Sequence, residues 1–213
     1  MSEFINELRE KLIVYNLSEN YVFYVDDNIL KYEFTPQFPQ EPYTLAWIRF
    51  NFNINKVVET LKNALNYDDN ARYYYIMCDN ALVLLITAFE AYLVNNYNKI
   101  RTNSGKTEID PKLLRFQSKD DLKEKYKEVN IDIAHLGDKL WERIFASGEN
   151  ERGLIKLRNV VVHSGWDNFQ NKSDMIDHIF VEEAIITIIK FIKIVDKTVI
   201  MKFPNLNNLS RAS

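Results

Sequence analysis

Residues 81–89 read ALVLLITAF, the longest strongly apolar stretch of the chain, and Glu90 follows directly. Wound into a helix, this stretch is apolar on all sides, and a helix of that kind lies buried in the core of a protein. We therefore predict a central buried helix that begins after Asp68 or Asp69 and ends near Asn98. Glu90 then places a carboxylate at the edge of the core, where it needs a cationic or hydrogen-bonding neighbour.

The composition of the whole chain supports a mainly α-helical fold. Its 213 residues include five Gly and five Pro, and 46% of them are apolar. A low content of chain-breaking residues favours long helices, and this length and apolar content suit one domain, or one domain with an appended subdomain. We predict a bundle of helices with a small N-terminal β element.

Cysteine, histidine and charge content narrow the classes of function. One Cys and three scattered His do not supply the clustered ligands of a structural zinc site, so we predict no metal, and no cofactor-binding motif is present. The apolar stretches are shorter than the roughly 20 residues of a membrane span. A net charge of −3 argues against binding long duplex DNA. We expect a cytoplasmic protein with no membrane partner.

The first 52 residues differ in pattern from the rest of the chain. An amphipathic helix is predicted to open the chain and to end near Asn16. Aromatic and β-branched residues then predict a hairpin over Tyr21–Phe34, with the turn at Asp26-Asp27-Asn28, and a third strand over Tyr43–Phe52. We therefore assign residues 1–52 to an N-terminal helix and β-hairpin subdomain.

Residues 53–203 show the periodicity and capping residues of successive helices, and 204–213 are expected to form a flexible tail. After the helix that starts at Asn53 and the central helix, the predicted helices are a short one at Asp110-Pro111 and longer ones over Ser118–Val129, Asp138–Ala146, Glu151–His163 and Asp174–Met201.

The one compact group of reactive side chains lies in Arg158-Asn159-Val160-Val161-Val162-His163, at a helix end before Ser164-Gly165. An Arg followed by a polar residue, an apolar triplet and a His, with a long apolar helix downstream, resembles the motif of the HEPN superfamily. The resemblance covers roughly residues 53–203, and the β-rich segment before it has no counterpart that we identify.

The resemblance to HEPN proteins implies a helical bundle that forms a homodimer and builds a metal-independent endoribonuclease site, often in a toxin or an antiviral defence protein. Carried over by position, Arg158 and His163 match the catalytic pair, and Asn159 matches the polar residue beside it. RNA, a second copy of the chain, and an antitoxin or activator protein are the implied partners. Some members carry a Tyr two residues after the His, where this chain has Gly165.

The chemistry of RNA cleavage explains why two copies are needed. Without a metal, the reaction requires a base, an acid and positive charge on the phosphate oxygens. A five-residue step on a helix turns through about 500°, so Arg158 and His163 emerge about 140° apart and do not face each other. Two copies about a two-fold axis supply two His and two Arg to one cleft. Arg152 and Lys156 add positive charge where RNA is expected to bind.

A purely structural interpretation competes with this one. Arg158 can be an ion-pair partner of Glu90, and His163 can be a residue that caps its helix. Glu90 is assigned a supporting role under both interpretations, as the partner of Arg158 and not as a catalyst. His135 and His178 are interpreted as surface or capping residues. The alternative functions are a silent helical module that binds a protein partner, and the substrate-binding subunit of a nucleotidyltransferase.

Overall fold

Six α-helices make up most of the residues that the structure describes, so the prediction of a mainly helical protein is confirmed. The computed structural model describes the strand segments 21–26 and 29–34 and residues 44–68, 71–116, 118–133, 136–147, 153–164 and 175–206. The helices are α1 (Leu45–Ala64), α2 (Arg72–Asn103), α3 (Lys119–Glu128), α4 (Asp138–Phe145), α5 (Leu154–Ser164) and α6 (His178–Lys202).

Helices α1 and α2 form a long antiparallel hairpin, the largest packing unit of the fold. The start of α1 meets the late part of α2, where the rings of Phe50 and Tyr92 lie edge to face at 6.2 Å. The predicted strand over Tyr43–Phe52 is wrong from Leu45 onward, because α1 begins there. Trp47, Phe50 and Ile54 are buried at helical spacing, so their pattern continues the amphipathic helix instead of alternating across a sheet.

The prediction that residues 81–89 form a buried part of the central helix is confirmed for most of them. Leu82, Leu85, Ile86 and Phe89 have no exposed surface. Leu84 is 38% exposed, so one narrow edge of α2 reaches the surface. Among the described residues, α2 is the helix with the length and composition to cross a bilayer, but more than half of its most apolar window is buried, as in the core helix of a soluble protein.

Helix α6 closes the core against α2 and α4. The ring of Phe191 lies edge to face with Phe89 at 5.4 Å and with Trp141 at 5.2 Å. These contacts join residues from three helices far apart in sequence. Aromatic pairs in this geometry add to the stabilisation from apolar burial.

A single carboxylate ties α6 to the start of α1. Asp196 is 1% exposed and accepts hydrogen bonds from the backbone N and Oγ1 of Thr44, from the Tyr92 hydroxyl at 2.6 Å and from Nδ2 of Asn96. Thr44 is also the N-cap of α1, since its Oγ1 accepts from Trp47 N. Burial raises the pKa of Asp196 to about 6, although these donors oppose the shift.

Capping residues identified in the sequence define several helix ends. Ser118 Oγ accepts from Asp121 N at the start of α3, and Asp110 caps a short 3-10 helix at Pro111–Leu113, as predicted. α3 ends in a left-handed turn at Asn130, whose φ is 58°. Asn is among the few residues that adopt this conformation readily.

The remaining predictions concern the two ends of the chain. The segments Tyr21–Asp26 (β1) and Ile29–Phe34 (β2) pair antiparallel, with Tyr21 opposite Phe34. The helix predicted to end near Asn16 lies outside the described residues. That the β element of residues 17–52 packs on the helices stays a prediction, and the third strand predicted for it is replaced by the start of α1. The tail predicted from 204 begins with a 3-10 helix, Pro204–Leu206, in which Asn205 is hydrogen-bonded to Asn103.

Candidate functional site

Helix α5 carries both residues of the predicted catalytic pair, and its N-terminal half fixes its position. Leu154, Ile155 and Leu157 are buried in the core. Gly153 donates from its backbone N to Ala146 O at 2.9 Å, and a Cβ at position 153 would lie 2.5 Å from Ala146 N. Only glycine allows this approach of α5 to the end of α4.

Arg158 forms an ion pair with Glu90 of the central helix, through Nη2 and Oε1. The Arg158 side chain is 17% exposed and that of Glu90 25% exposed. Arg158 Nε is buried and has no hydrogen-bond partner among the described residues. The cationic neighbour that Glu90 needs is therefore Arg158, and the pair joins α5 to α2.

Burial and the ion pair act on Glu90 in opposite directions. Burial raises the pKa of Glu90 above its usual value, and the positive charge and hydrogen bond of Arg158 lower it by less. Burial therefore has a larger influence than Arg158 on the ionisation of this carboxyl.

His163 lies at the opposite end of the helix and on a different side. It is exposed, one residue before the last residue of α5, and has no hydrogen-bond partner among the described residues. Val162 beside it is 54% exposed. Within one chain the structure places Arg158 against Glu90 and leaves His163 in solvent, so the pair does not converge on one point.

The other predicted site residues take varied positions. Asn159 is partly buried on α5. The ammonium of Lys156 donates to Ser147 O at 2.8 Å, so it lies along the start of the same helix. Arg152 lies outside the described residues, as does His135.

His178 is the site where the sequence interpretation is wrong. It is not a surface residue but is 7% exposed, and its Nδ1 lies within hydrogen-bond distance of the Tyr74 hydroxyl, which also accepts from His178 N at 3.0 Å. Tyr74 and His178 are 104 residues apart in sequence. Neither residue carried a local signal of this contact.

A buried acid on the central helix also escaped the sequence interpretation. Asp79 is 9% exposed and makes no hydrogen bond or ion pair within the described part of the chain. Burial alone raises its pKa to about 7. The sequence does contain a signal that could have indicated its burial, because Asp79 lies between Cys78 and the apolar run that starts at Ala81.

One chain thus presents an exposed imidazole near the end of α5 and, in the same helix, a guanidinium held by a carboxylate. Within the described ranges, no three His, Cys, Asp or Glu side chains come together as potential metal ligands. Comparison of the chain with protein-family models, with curated proteins and with solved structures finds no match.

Proposed function

We propose that the protein is a metal-independent endoribonuclease that cuts single-stranded or loop RNA at a site shared by two copies of the chain. The observation that carries this proposal is the arrangement on α5, where Arg158 is held by Glu90 while His163 stands free in solvent at the end of the same helix. An exposed imidazole can exchange protons directly with a bound substrate. The resemblance of this segment to the HEPN motif supports the same function.

Each side chain has a defined part in the proposed reaction. His163 of one copy takes the proton of the 2′-hydroxyl, and His163 of the second copy gives a proton to the leaving 5′-oxygen. Arg158 neutralises charge on the phosphate oxygens. Glu90 occupies Nη2 of Arg158 and leaves Nη1 for the phosphate, so Glu90 is a positioning residue.

The surface around His163 supports pairing of two chains. Val162 is 54% exposed beside it, and an exposed apolar residue next to a proposed active-site residue suits a contact between copies. Lys156 extends the positive charge along α5, and Asn159 is the polar residue next to Arg158. The same proposal includes an antitoxin or activator protein as partner, a role in toxin-antitoxin or antiviral systems, and a cytoplasmic location.

Cleavage in the presence of excess EDTA tests this function. Purified protein should convert a single-stranded RNA into products with 2′,3′-cyclic phosphate and 5′-hydroxyl ends, and the matching DNA should stay intact because it lacks the 2′-hydroxyl. His163→Ala should lower the rate at least about 100-fold. Glu124→Gln, at an exposed residue that the proposal leaves out of the reaction, is the comparison for folding and purity. Cleavage that requires a metal and survives His163→Ala would refute the proposal.

A second candidate is a silent helical module that binds a protein partner or serves as the substrate-binding subunit of a nucleotidyltransferase. The specific observation in its favour is the ion pair itself, because a guanidinium bound to Glu90 already has a structural role. If this candidate is right, wild-type protein cuts no RNA, and Arg158→Ala changes stability alone.

A further inference from the structure

The buried carboxylate of Asp196 joins the start of α1 to the core without the help of a cation. Within the described part of the chain it forms no ion pair, and the groups that donate to it are neutral. Thr44 N donates to Oδ2 at 2.9 Å, and Thr44 Oγ1 lies 2.9 and 3.0 Å from the two carboxylate oxygens. A buried charge without a counter-ion depends on such donors.

The same carboxylate holds the cap of α1 in place. Thr44 Oγ1 accepts from Trp47 N at 3.2 Å, and Thr44 O accepts from Ile48 N at 3.2 Å. Because Asp196 binds both the N–H and the hydroxyl of Thr44, displacement of this cap uncovers the carboxylate. Opening of the first turn of α1 and hydration of Asp196 are therefore coupled.

Asn96 gives the carboxyl a second arrangement of hydrogen bonds. Its Nδ2 donates to Asp196 Oδ1 at 3.1 Å and to Tyr92 Oη at 2.9 Å, while its own Oδ1 is buried and has no donor among the described residues. If Asp196 gains a proton on Oδ1, the new O–H needs an acceptor. Rotation of the Asn96 amide by about 180° exchanges its two ends and turns the unused oxygen towards that O–H.

The ionisable groups that face Asp196 from the neighbouring helices are two tyrosines. Tyr92 of α2 donates to Asp196 Oδ1 at 2.6 Å, and Tyr126 of α3 interacts electrostatically with the same carboxylate. Burial raises the pKa of both tyrosines well above its usual value, so both stay neutral at physiological pH. The lysines beside Asp196 on α6, Lys193 and Lys197, are exposed. Asp196 is therefore the group of this cluster that titrates between pH 5 and 8.

A cavity of about 90 Å³ brings water-sized space to this cluster. Thr44 and Asn96 both line it, and the exposed Lys99 forms part of its wall. The volume exceeds the roughly 30 Å³ that a water molecule occupies in the liquid. Solvent thus approaches two of the residues that bind Asp196 without unfolding of the core.

Protonation of Asp196 and closure of its contact with Thr44 are linked. Burial raises the pKa of Asp196 to about 6, above the roughly 3.9 of an aspartate in water. A carboxyl that holds its proton more tightly when buried stabilises the closed contact. This contribution is fully present below about pH 4 and is lost as pH rises through about 6. The ionised contact therefore opens more readily than the protonated one.

We propose that Asp196, Asn96 and Thr44 form a pH-dependent latch, which holds the start of α1 closed more tightly in mildly acidic than in neutral solution. In the protonated form Asp196 donates to Asn96 Oδ1 and still accepts from Thr44 N. In the ionised form Asn96 Nδ2 donates to the carboxylate, as in the structure, and the cap of α1 opens more often. The inference goes beyond the proposed nuclease function and does not depend on Arg158 or His163.

Amide hydrogen exchange of the full chain, measured residue by residue by NMR, tests the latch. After correction for the intrinsic effect of pH on exchange, we expect the opening constants of Thr44, Trp47 and Ile48 to rise between pH 5.0 and pH 7.5. The rise should be about tenfold, because the pKa of Asp196 is about 6 in the closed contact and about 4 in the open one.

The cap of α3 is the matched control within the same molecule. Asp121 N donates to Ser118 Oγ and Leu122 N to Ser118 O, as at the start of α1, but Ser118 has no contact with a buried carboxylate in the described part of the chain. The opening constants of Asp121 and Leu122 should change by less than about twofold between the same pH values.

Two variants and one titration assign the effect to the latch. Asp196→Asn is neutral at both pH values and keeps an oxygen for Thr44 N, so its opening constants should be equal at pH 5.0 and pH 7.5. Tyr92→Phe removes a donor that favours the anion, so the midpoint of the pH dependence should rise by about one pH unit. In wild-type protein the ¹³C signal of the Asp196 carboxyl and the side-chain ¹⁵N signal of Asn96 should titrate together near pH 6.

Four results would overturn the proposal. They are opening of the α1 cap that does not depend on pH in wild-type protein, an equal change at the α3 cap, a pH dependence that survives Asp196→Asn, and an Asp196 carboxyl that titrates while the Asn96 signal stays constant. The first, second and fourth are measured on the wild-type chain, so they decide the question even if a variant does not fold.

Discussion

Glu90→Gln is the substitution that best separates a structural from a functional role of Arg158. It removes the negative charge of the ion pair and keeps an oxygen that accepts from Nη2. Two unit charges about 4 Å apart attract by roughly 4 kcal/mol at an effective dielectric constant of about 20. The raised pKa of Glu90 indicates that burial outweighs this attraction, so we expect Glu90→Gln to change the free energy of unfolding by about 1 kcal/mol or less.

Arg158→Ala should cost more, because it leaves a half-buried carboxylate without its cation. We expect a loss of roughly 2 kcal/mol at pH 8. Removal of Arg158 takes away the influence that lowers the pKa of Glu90, so this pKa rises further. A carboxyl whose pKa is raised in the folded state loses its stabilising contribution as pH rises. The variant should therefore be closest to wild type near pH 4.5 and least stable, relative to wild type, at pH 8.

Urea unfolding at these two pH values and RNA cleavage should be measured on the same preparations. If Arg158 binds the scissile phosphate, Glu90→Gln retains cleavage within about tenfold of wild type, while Arg158→Ala loses about 100-fold or more. A loss of cleavage that only follows the loss of stability in each variant would refute the assignment of Arg158 to the phosphate.

Two further substitutions test the folded framework. Asp79→Asn should raise stability by roughly 2 kcal/mol at pH 8 and change it little at pH 4, because burial raises the pKa of Asp79 to about 7 and its charge opposes folding as pH rises through that value. Urea unfolding checks this, with the exposed Glu124→Gln as control. An equal effect at both pH values would contradict it. Gly153→Ala should lower stability by about 2 kcal/mol or more, because its Cβ would lie 2.5 Å from Ala146 N and 2.7 Å from Ile144 O. A melting temperature equal to that of wild type would contradict this and show that α5 can move away from the end of α4 without loss of stability.

The parts of the fold that were predicted correctly carry their information locally. The stretch 81–89 is apolar around a whole helix, and Ser118 and Asp110 are capping residues at the ends they define. Helix α1 shows the opposite case. Aromatic and β-branched residues made 43–52 resemble a strand, whereas Thr44 caps a helix and is held by Asp196, 152 residues away. Such a contact has no signature in the local sequence.

For the candidate site, too, the features with local information were predicted and those that depend on distant contacts were not. The spacing of Arg158 and His163 on one helix followed from the sequence, and so did the need of Glu90 for a cationic neighbour. The contact of His178 with Tyr74 and the missing donor at Asn96 depend on packing between distant segments. Sequence patterns therefore predicted the cationic partner of Glu90 on α5, whereas contacts between distant segments determine which buried polar groups lack a partner.

The shared site is tested most directly by one dilution series in EDTA, in which specific RNA-cleaving activity and the fraction of dimer are measured on the same samples. Because one chain supplies a single exposed His163 and one Arg158 held by Glu90, we predict that activity per chain falls in parallel with the dimer fraction. Activity per chain that stays constant as the dimer dissociates, or no cleavage by a fully dimeric sample, would contradict the account.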